Sequence, residues 1–364
     1  MKFRSIFYAT DKDIYDLLSS SRKKIPDHAI IEVLRENKII VSKDETREYL
    51  IDYFSTLLHD YFSREYILEQ TERGNRAEKI TNSELEIDIS RDDLRKALMA
   101  VQNKRTQSNR ESHTVSSKSE NSFKLSIDYQ EMDLGRTRLA QHREREAEID
   151  IEFNANSIRI RRPANTVGED IANELIKEIE AIKNVKIKEN KISLAGITDP
   201  EKRTKFFLML IKSLPEFELD DVTALYTNKL DETIDDLDEN EGEDGNKANE
   251  QLLSDVRRAM LSGSGLILSP EFKRLSESGF YISKILWIST QKATMGPKVE
   301  FEASLGNPSE GTDFRYNVRG IYKAKSDGTF TKSKLPIDET QKKDHLRMLE
   351  RTAKISIESL LTAP

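Results

Sequence analysis

The 364-residue sequence contains no cysteine, which excludes disulfide bonds, a cysteine nucleophile and thiolate metal sites. Its longest uninterrupted apolar run is the hexapeptide FFLMLI, far short of the roughly 18 residues that span a bilayer. Acidic residues follow the N-terminal MKFRSIFYAT too soon for a secretory hydrophobic region. These absences predict a cytoplasmic protein that does not associate with a membrane.

Signatures of common catalytic sites are also missing. The chain has no P-loop, no HExxH and no GxSxG segment, and no two of its histidines are spaced i, i+4. We therefore expect a protein with no cofactor, no bound metal ion and no chemistry of its own. The catalytic alternative is a divergent metal-dependent nuclease that uses the carboxylates of one alternating strand, Glu148, Asp150 and Glu152.

Charged residues make up 34% of the chain and give it a net charge of −7. The distribution is uneven, because residues 255–364 carry 18 basic and only 13 acidic side chains. An acidic total does not exclude nucleic-acid binding, which depends on local patches. The distribution directs the search for an anion-binding surface to the C-terminal third.

Two polar segments divide the chain into predicted domains. Residues 102–122 contain six serines and one large apolar residue, Val115, and so predict a flexible linker. Residues 231–250 begin with nine carboxylates and no basic residue up to Asp244, which predicts a solvated acidic linker. The predicted domains are then 1–101, which is helical, 123–230, which is α+β, and 251–364, an antiparallel β meander with a C-terminal helix.

The periodicities predict an α+β fold, with an N-terminal helical domain followed by two antiparallel-sheet and helix layers. Strict alternation over 146–153 predicts a hairpin that pairs Phe153 with Ile158 under an exposed ladder of opposite charges. A second hairpin is expected to turn at 189–190. In the last domain the predicted strands are 280–290, 297–303, 314–325 and 329–335, and the single tryptophan, Trp287, is expected in the core.

In the N-terminal region, a helix, a short extended segment and a second helix follow one another in AIIEVLRENKIIVSKDETREYLIDYF, residues 29–54. Asn37 is expected to end the first helix in the left-handed conformation, and Ser42 with Glu45 forms a predicted capping box for the second. The stretch resembles the helix-extended-helix family that includes the SAP domain, a small DNA-binding module. It departs from the family pattern in having Asn37 at the usual glycine and an extra residue before the second helix.

The resemblance implies that basic residues around the extended segment contact the DNA backbone: Arg35, Lys38, Lys43 and Arg47. Acidic residues lie beside them in the sequence, which favours the alternative of an ordinary helical pair inside a larger helical domain.

The hairpin from Arg315 to Lys334 is the main predicted anion-binding surface. Its Asp327-Gly328 pair predicts a two-residue turn in which Ser326 pairs with Thr329. In that register, one face carries basic side chains without a nearby carboxylate, together with a ring that could stack on a base: Arg319, Lys323, Lys325, Phe330, Lys332 and Lys334. The alternative is a set of lysines that keeps the surface soluble or guards a sheet edge.

Together these features predict a non-catalytic nucleic-acid-binding protein, a component of a larger bacterial assembly. One alternative is a scaffold or regulatory subunit that holds a partner enzyme, for example in antiviral defence, and the other is the nuclease described above. The expected partners are nucleic acid and either another protein or a second copy of the chain.

Overall fold

The computed structural model describes residues 8–22, 24–42, 44–72, 78–108, 112–119, 121–154, 156–229, 258–263, 265–293 and 296–362. The chain forms two compact units. The smaller unit comprises Met1–Arg76, Gln102–Thr114 and Ser126–Ala147, and the larger comprises Ala77–Val101, Val115–Leu125 and Glu148–Pro364. This division differs from the three consecutive domains that the sequence predicts. The predicted acidic linker, 231–250, lies outside the described residues.

The smaller unit begins with helices α1 (Asp11–Ser20), α2 (Asp27–Glu36), α3 (Arg47–Ser55) and α4 (Tyr61–Glu72). Apolar side chains at helical spacing form its core, among them Leu18, Val33 and Phe54. Leu139 and Ala140, from a 3₁₀ turn over Arg138–Ala140, join this core. A segment that the sequence places in the middle domain therefore completes the N-terminal helical cluster.

The predicted ends of α2 and α3 are wrong by a few residues. Thr46, not Ser42, caps α3, and its hydroxyl accepts a hydrogen bond from the Tyr49 N–H at 3.3 Å. Asn37 keeps φ at −80° because its side chain donates to the Val33 carbonyl at 3.0 Å, which holds it in the last turn. Lys38 adopts the left-handed conformation instead, with φ at 65°.

The described residues of the predicted linker, 102–122, lie in a helix or a strand, except Asn121, which lies in a turn. Helix α5 (Arg91–Ser108) continues into it because the buried Arg105 extends the helical spacing of Leu98 and Val101. Strands β2 (Ser112–Ser119) and β3 (Ser122–Met132) follow and pair with each other. Backbone hydrogen bonds between strands thus order a segment that has few apolar side chains.

The larger unit is built on an antiparallel sheet. Its strands are β1 (Ile80–Glu86), β4 (His142–Asn154), β5 (Ser157–Pro163), β6 (Glu189–Lys191), β7 (Phe217–Lys229), β8 (Arg258–Ser262), β9 (Phe280–Gln291), β10 (Lys298–Asn307) and β11 (Thr312–Tyr322). They are ordered β4-β5-β1-β11-β10-β9-β7-β8, and β6 also pairs with β1. The α+β class is confirmed. Because β7 pairs with β9, one sheet joins regions that the sequence assigned to separate domains.

The helices that cover this sheet are α6 (Thr166–Lys183), α7 (Pro200–Lys212), α8 (Pro270–Glu277) and α9 (Glu339–Thr362). Asp199 caps α7 and Ser269 caps α8, and a proline follows each cap as the first residue of the helix. The cap of α6 is Asn165, whose side chain accepts from the Gly168 N–H at 2.7 Å. Trp287 is fully buried and stacks on Phe301 with ring centroids 5.4 Å apart, which confirms its place in the core.

The first predicted hairpin is confirmed, since Phe153 pairs with Ile158 and Glu152 pairs with Arg159. Its charged face is not exposed, however, because Glu350 of α9 binds the buried Arg161 there. The second predicted hairpin is wrong. Residues 189–191 form β6 and pair with β1, while the chain beyond turns inward so that the Leu194 N–H donates to the Gly311 carbonyl at 2.7 Å.

The fourth strand predicted for the C-terminal meander is not formed. The segment 329–335 meets the rest of the hairpin through isolated bridges at Ile321–Leu335 and Ala324–Phe330. The turn uses three residues instead of two, because the Lys325 N–H donates to the Thr329 carbonyl and Gly328 takes a left-handed φ of 78°. The predicted Ser326–Thr329 register is therefore wrong, and a shift of one residue moves each side chain to the other face.

Candidate anion-binding face

The central strands carry charged side chains on the face opposite the core. In β10, Phe301 and Ala303 belong to the core, whereas Glu300, Glu302 and Ser304 alternate with them and point the other way. We name this surface the polar sheet face. It is formed by Lys79, Tyr226, Lys284, Lys298, Glu300, Glu302, Ser304, Arg315, Asn317, Arg319 and Lys334.

Strand register aligns four of these residues in one row. Tyr226 of β7 lies opposite Lys284 of β9, Lys284 lies opposite Ser304 of β10, and Ser304 lies opposite Arg315 of β11. Strands are about 4.8 Å apart, so the row is about 14 Å wide. The Lys284 ammonium lies 4.7 Å from the centroid of the Tyr226 ring, and this cation–π contact holds the lysine across the row.

Two carboxylates on this face are shared by four basic side chains. The Lys284 and Lys79 ammoniums lie 2.9 and 3.5 Å from Glu302 Oε1. Arg319 Nε lies between the two carboxylates, 3.7 Å from Glu302 and 3.6 Å from Glu300. Lys334 also pairs with Glu300. These six side chains, which we name the Glu300–Glu302 network, hold two more positive charges than negative ones.

Burial and the neighbouring charges shift the pKa values of Lys79 and Glu302. Burial lowers the pKa of Lys79, and the positive charges of Lys284 and Arg315 lower it further. Burial alone would raise the pKa of Glu302, but the hydrogen bond and charge of Lys284 hold it below its ordinary value. The carboxylate is therefore ionised at neutral pH while the cations around it exceed it in number. A group that would relieve this excess is an anion.

A β-bulge sets the position of Arg319. Phe301 pairs with Val318 and Glu300 pairs with Gly320, so Arg319 has no partner residue across the ladder. The bulge turns Ile321, two residues beyond Arg319, into the core, where it is 7% exposed. Ile321 therefore lies on the opposite side of the strand from Arg319. The prediction that no carboxylate lies near Arg319 or Lys334 is wrong, because both contact Glu300.

The predicted residues beyond β11 lie in a loop that we name the basic loop, residues 323–334. Lys323, Lys325 and Lys332 are exposed, and in the described part of the chain they form no ion pair within 4 Å. Lys323 is opposite Thr331, not opposite Lys332. The Phe330 ring is half-buried and has the Lys298 ammonium 4.7 Å from its centroid, so one ring face that we expected to stack on a base is occupied.

The residues implied by the SAP resemblance do not form one cationic surface. Arg47 is buried, pairs with Asp27 and donates to the Leu18 carbonyl at 3.1 Å, so it ties three segments of the smaller unit together. This burial removes Arg47 from the predicted DNA contacts. Arg35 is exposed and 3.7 Å from Glu32, and Lys38 is exposed. Lys43 lies outside the described residues.

The carboxylates proposed for a nuclease are each paired with a cation. Glu148 binds Lys124, Asp150 binds Lys343 at 2.8 Å, and Arg347 of α9 approaches Glu152 at 2.9 Å. Across the described residues, no three histidine or acidic side chains converge as metal ligands do. The strand therefore contacts α9 through ion pairs.

A cleft of about 660 Å³ lies at the N-terminus of α6 and is lined by charges of both signs. Arg162 binds Glu169 at 2.5 Å, Lys191 binds the same carboxylate at 2.7 Å, and Arg315 Nε binds Asp313 at 2.7 Å. Asp170 adds a further carboxylate. Since each cation here contacts a carboxylate, the cleft has no excess of positive charge to attract an anion.

Sequence reasoning missed Lys79 and Lys284. Lys284 carries one local signal, because it is the only charged residue within the apolar β9 run and so marks the face opposite the core. Lys79 precedes β1 and carries no comparable signal. It reaches the site only because β1 pairs with β11, far away in the sequence.

No family model matches the chain, and no curated protein matches it either. None of the helices in the described ranges combines the length and apolar character needed to cross a bilayer.

Proposed function

We propose that the protein binds nucleic acid through the polar sheet face and the basic loop. The observation that carries this proposal is the Glu300–Glu302 network, in which four cations share two carboxylates. Lysine and arginine side chains that contact phosphates provide most of the sequence-independent affinity of nucleic-acid-binding proteins.

The basic loop extends the same positive charge. Lys334 connects the loop to the network through Glu300, and Phe330 connects it to the polar sheet face through Lys298. Network and loop together carry seven cations, Lys79, Lys284, Arg319, Lys323, Lys325, Lys332 and Lys334, against three carboxylates, Glu300, Glu302 and Asp327. Local charge of this kind binds phosphates even where the whole chain is acidic.

The exposed loop lysines give the cleanest test. We expect K323Q/K325Q/K332Q to bind a single-stranded oligonucleotide about tenfold more weakly at low salt, measured by fluorescence anisotropy. The slope of log affinity against log salt should become shallower by roughly 0.7 for each phosphate that the variant no longer neutralises. The fold should be unaffected, because these lysines form no ion pair among the described residues.

The matched control is K177Q/K186Q/K188Q, which removes the same charge from exposed lysines elsewhere in the larger unit. This control should bind as the wild type does. If both variants lost the same affinity, the effect would come from the net charge of the protein and not from the basic loop. A wild type that binds no oligonucleotide at low salt would refute the proposal.

A further inference from the structure

A cleft of about 340 Å³ opens at the end of the polar sheet face where β7, β8, β9 and β10 meet. Among its described lining residues, Lys79 and Lys284 are the charged ones, and no carboxylate lines it. The remaining described lining is uncharged and includes Tyr226, Ser304 and Met260.

The two lysines are held in place by one carboxylate outside the cleft and by two side chains that line it. Both ammoniums contact the same oxygen of Glu302, which is nearly fully buried and does not line the cleft. Lys79 also donates to the Ser304 hydroxyl at 2.9 Å, and Lys284 rests on the Tyr226 ring. Each ammonium therefore has a fixed position and retains donor capacity, because a lysine has three N–H donors.

We propose that this cleft binds a phosphate monoester, with Lys79 and Lys284 as its charged ligands. The inference deepens the proposed function, since the terminal phosphate of a nucleic-acid strand is one source of this group. A sugar phosphate is another.

Charge favours a phosphate monoester over a carboxylate. Two ammonium groups and no carboxylate line the described part of the cleft, and a phosphate monoester carries about −1.5 to −2 near pH 7. A carboxylate carries only −1. Burial lowers the pKa of Lys79, and the charges of Lys284 and Arg315 lower it further; a bound dianion would offset this repulsion. The volume of the cleft exceeds that of one phosphate group, so it leaves room for a sugar against the exposed side of Met260.

Two variants should change affinity in opposite directions. Lys284→Gln removes one charged ligand and should weaken the binding of ribose 5-phosphate about tenfold or more in isothermal titration calorimetry. Glu302→Gln keeps the shape of its side chain but removes the competing negative charge, so it should tighten binding severalfold. Lys177→Gln, the same change at an exposed lysine of α6 outside both the cleft and the polar sheet face, should leave the affinity unchanged. Ribose without phosphate should not bind.

Thermal unfolding of each variant checks that it is folded. If Lys284→Gln does not fold, the tighter binding expected for Glu302→Gln still tests the proposal, because misfolding does not increase affinity. The proposal is overturned if ribose 5-phosphate binds no better than ribose, if Glu302→Gln binds more weakly, or if Lys177→Gln loses as much affinity as Lys284→Gln.

A pair of oligonucleotides that differ only in a 5′-phosphate separates the two proposals. If the wild type prefers the phosphorylated strand and Lys284→Gln does not, the end of a nucleic-acid strand is supported as the source of the phosphate. Binding of both strands without any binding of ribose 5-phosphate overturns the cleft proposal and leaves nucleic-acid binding standing. Binding of ribose 5-phosphate with no binding of either strand supports the cleft proposal and refutes the proposed function.

Discussion

Arg161 of β5 and Glu350 of α9 form a buried two-point ion pair, with Nε–Oε1 at 2.7 Å and Nη2–Oε2 at 3.0 Å. Both side chains are 3% exposed. The Tyr316 hydroxyl donates to the same Oε1 at 2.5 Å, and burial together with Glu350 raises the pKa of this tyrosine well above its ordinary value. The helix that covers the charged face of β4 and β5 is thus held to the sheet in part by one carboxylate, which accepts hydrogen bonds from Arg161 and Tyr316.

We predict that Glu350→Gln lowers the free energy of unfolding by about 3 kcal/mol, because it leaves the Arg161 guanidinium buried with only the 3.3 Å contact to Glu152. Urea denaturation followed by circular dichroism measures the change. The double variant R161M/E350L should lose less, since it leaves no buried charge. Arg347→Gln, which breaks the more exposed pair with Glu152, should cost about 1 kcal/mol or less. A loss for Glu350→Gln no larger than for Arg347→Gln would contradict this account.

Arg47 should matter for stability and not for nucleic-acid binding. Arg47→Gln removes the pair with Asp27 and leaves the buried Leu18 carbonyl without its guanidinium donor, so we expect a loss of about 1–3 kcal/mol. Its oligonucleotide affinity should match that of the wild type at a temperature where the variant is folded. Arg35→Gln, at an arginine whose side chain is 78% exposed, is the control and should change stability little. Weaker binding by folded Arg47→Gln would restore the role that the SAP resemblance implies.

Acidification should destabilise the protein through His345. Its ring lies against Phe217 and Phe301, and burial lowers its pKa below 6.5, although Asp344 and Glu216 act in the opposite direction. Arg347 and Arg351 line the same cleft. The unfolded chain therefore binds a proton that the folded chain resists, and stability falls as the pH drops from about 6.5 toward the lower folded pKa.

The slope due to this one group is at most about 1.4 kcal/mol per pH unit. Denaturation between about pH 7 and pH 5 should show a shallower decline for His345→Gln than for the wild type. Some decline should remain, because burial also lowers the pKa of His59. His28→Gln, at an exposed position, is the control and should keep the wild-type slope. Identical slopes for His345→Gln and the wild type would exclude His345 as the source.

Gly320 and Gly328 both have a positive φ, but an added Cβ would collide with other atoms only at Gly320. Alanine substitutions at these two positions therefore distinguish the cost of backbone strain from the cost of a steric collision. Gly320 (φ 143°) sits in the β11 bulge, where an added Cβ would collide with the Leu335 carbonyl and the Lys334 side chain. Gly328 (φ 78°) has the same sign of φ, but nothing lies within 4 Å of an added Cβ. Gly328→Ala should therefore cost about 1 kcal/mol, and Gly320→Ala should cost about 2–3 kcal/mol. Equal losses of stability in the two variants, measured by thermal unfolding, would show that the backbone at Leu335 moves at little cost to make room for the added methyl group.

Local signals were sufficient wherever neighbouring residues decide the structure. The pairing of Phe153 with Ile158 follows from alternation across a short turn, and the burial of Trp287 follows from its place in an apolar strand. The same reasoning failed where a distant element decides. Nothing near Arg161 indicates that α9 covers it, and the sequence around Ile321 does not reveal the bulge that turns it into the core.

In the candidate site, too, local patterns predicted some residues, whereas strand pairing between distant parts of the chain determines the others. Arg319 and Lys334 were predicted because they lie in one cationic hairpin, whereas the carboxylates that they contact come from β10. Lys79 and Lys284 meet at Glu302 only through the pairing of β1 with β11 and of β9 with β10. A sequence pattern records what alternates along one strand, but it does not record which strands become neighbours.

The position of β1 between β5 and β11 has a consequence for folding during synthesis. β5 follows soon enough to pair with one edge of β1, but β11 begins only at Thr312. At ribosomal rates of roughly 5–20 residues per second, the wait is on the order of ten to fifty seconds. β6 can pair with residues 83–85 of β1 well before then, but the part of that edge near Ile80 has no partner until β11 is made. Its unpaired N–H and C=O groups can be occupied by an unrelated nascent strand. Slower translation of the last third of the chain should lengthen this exposure and increase the dependence of the protein on chaperones.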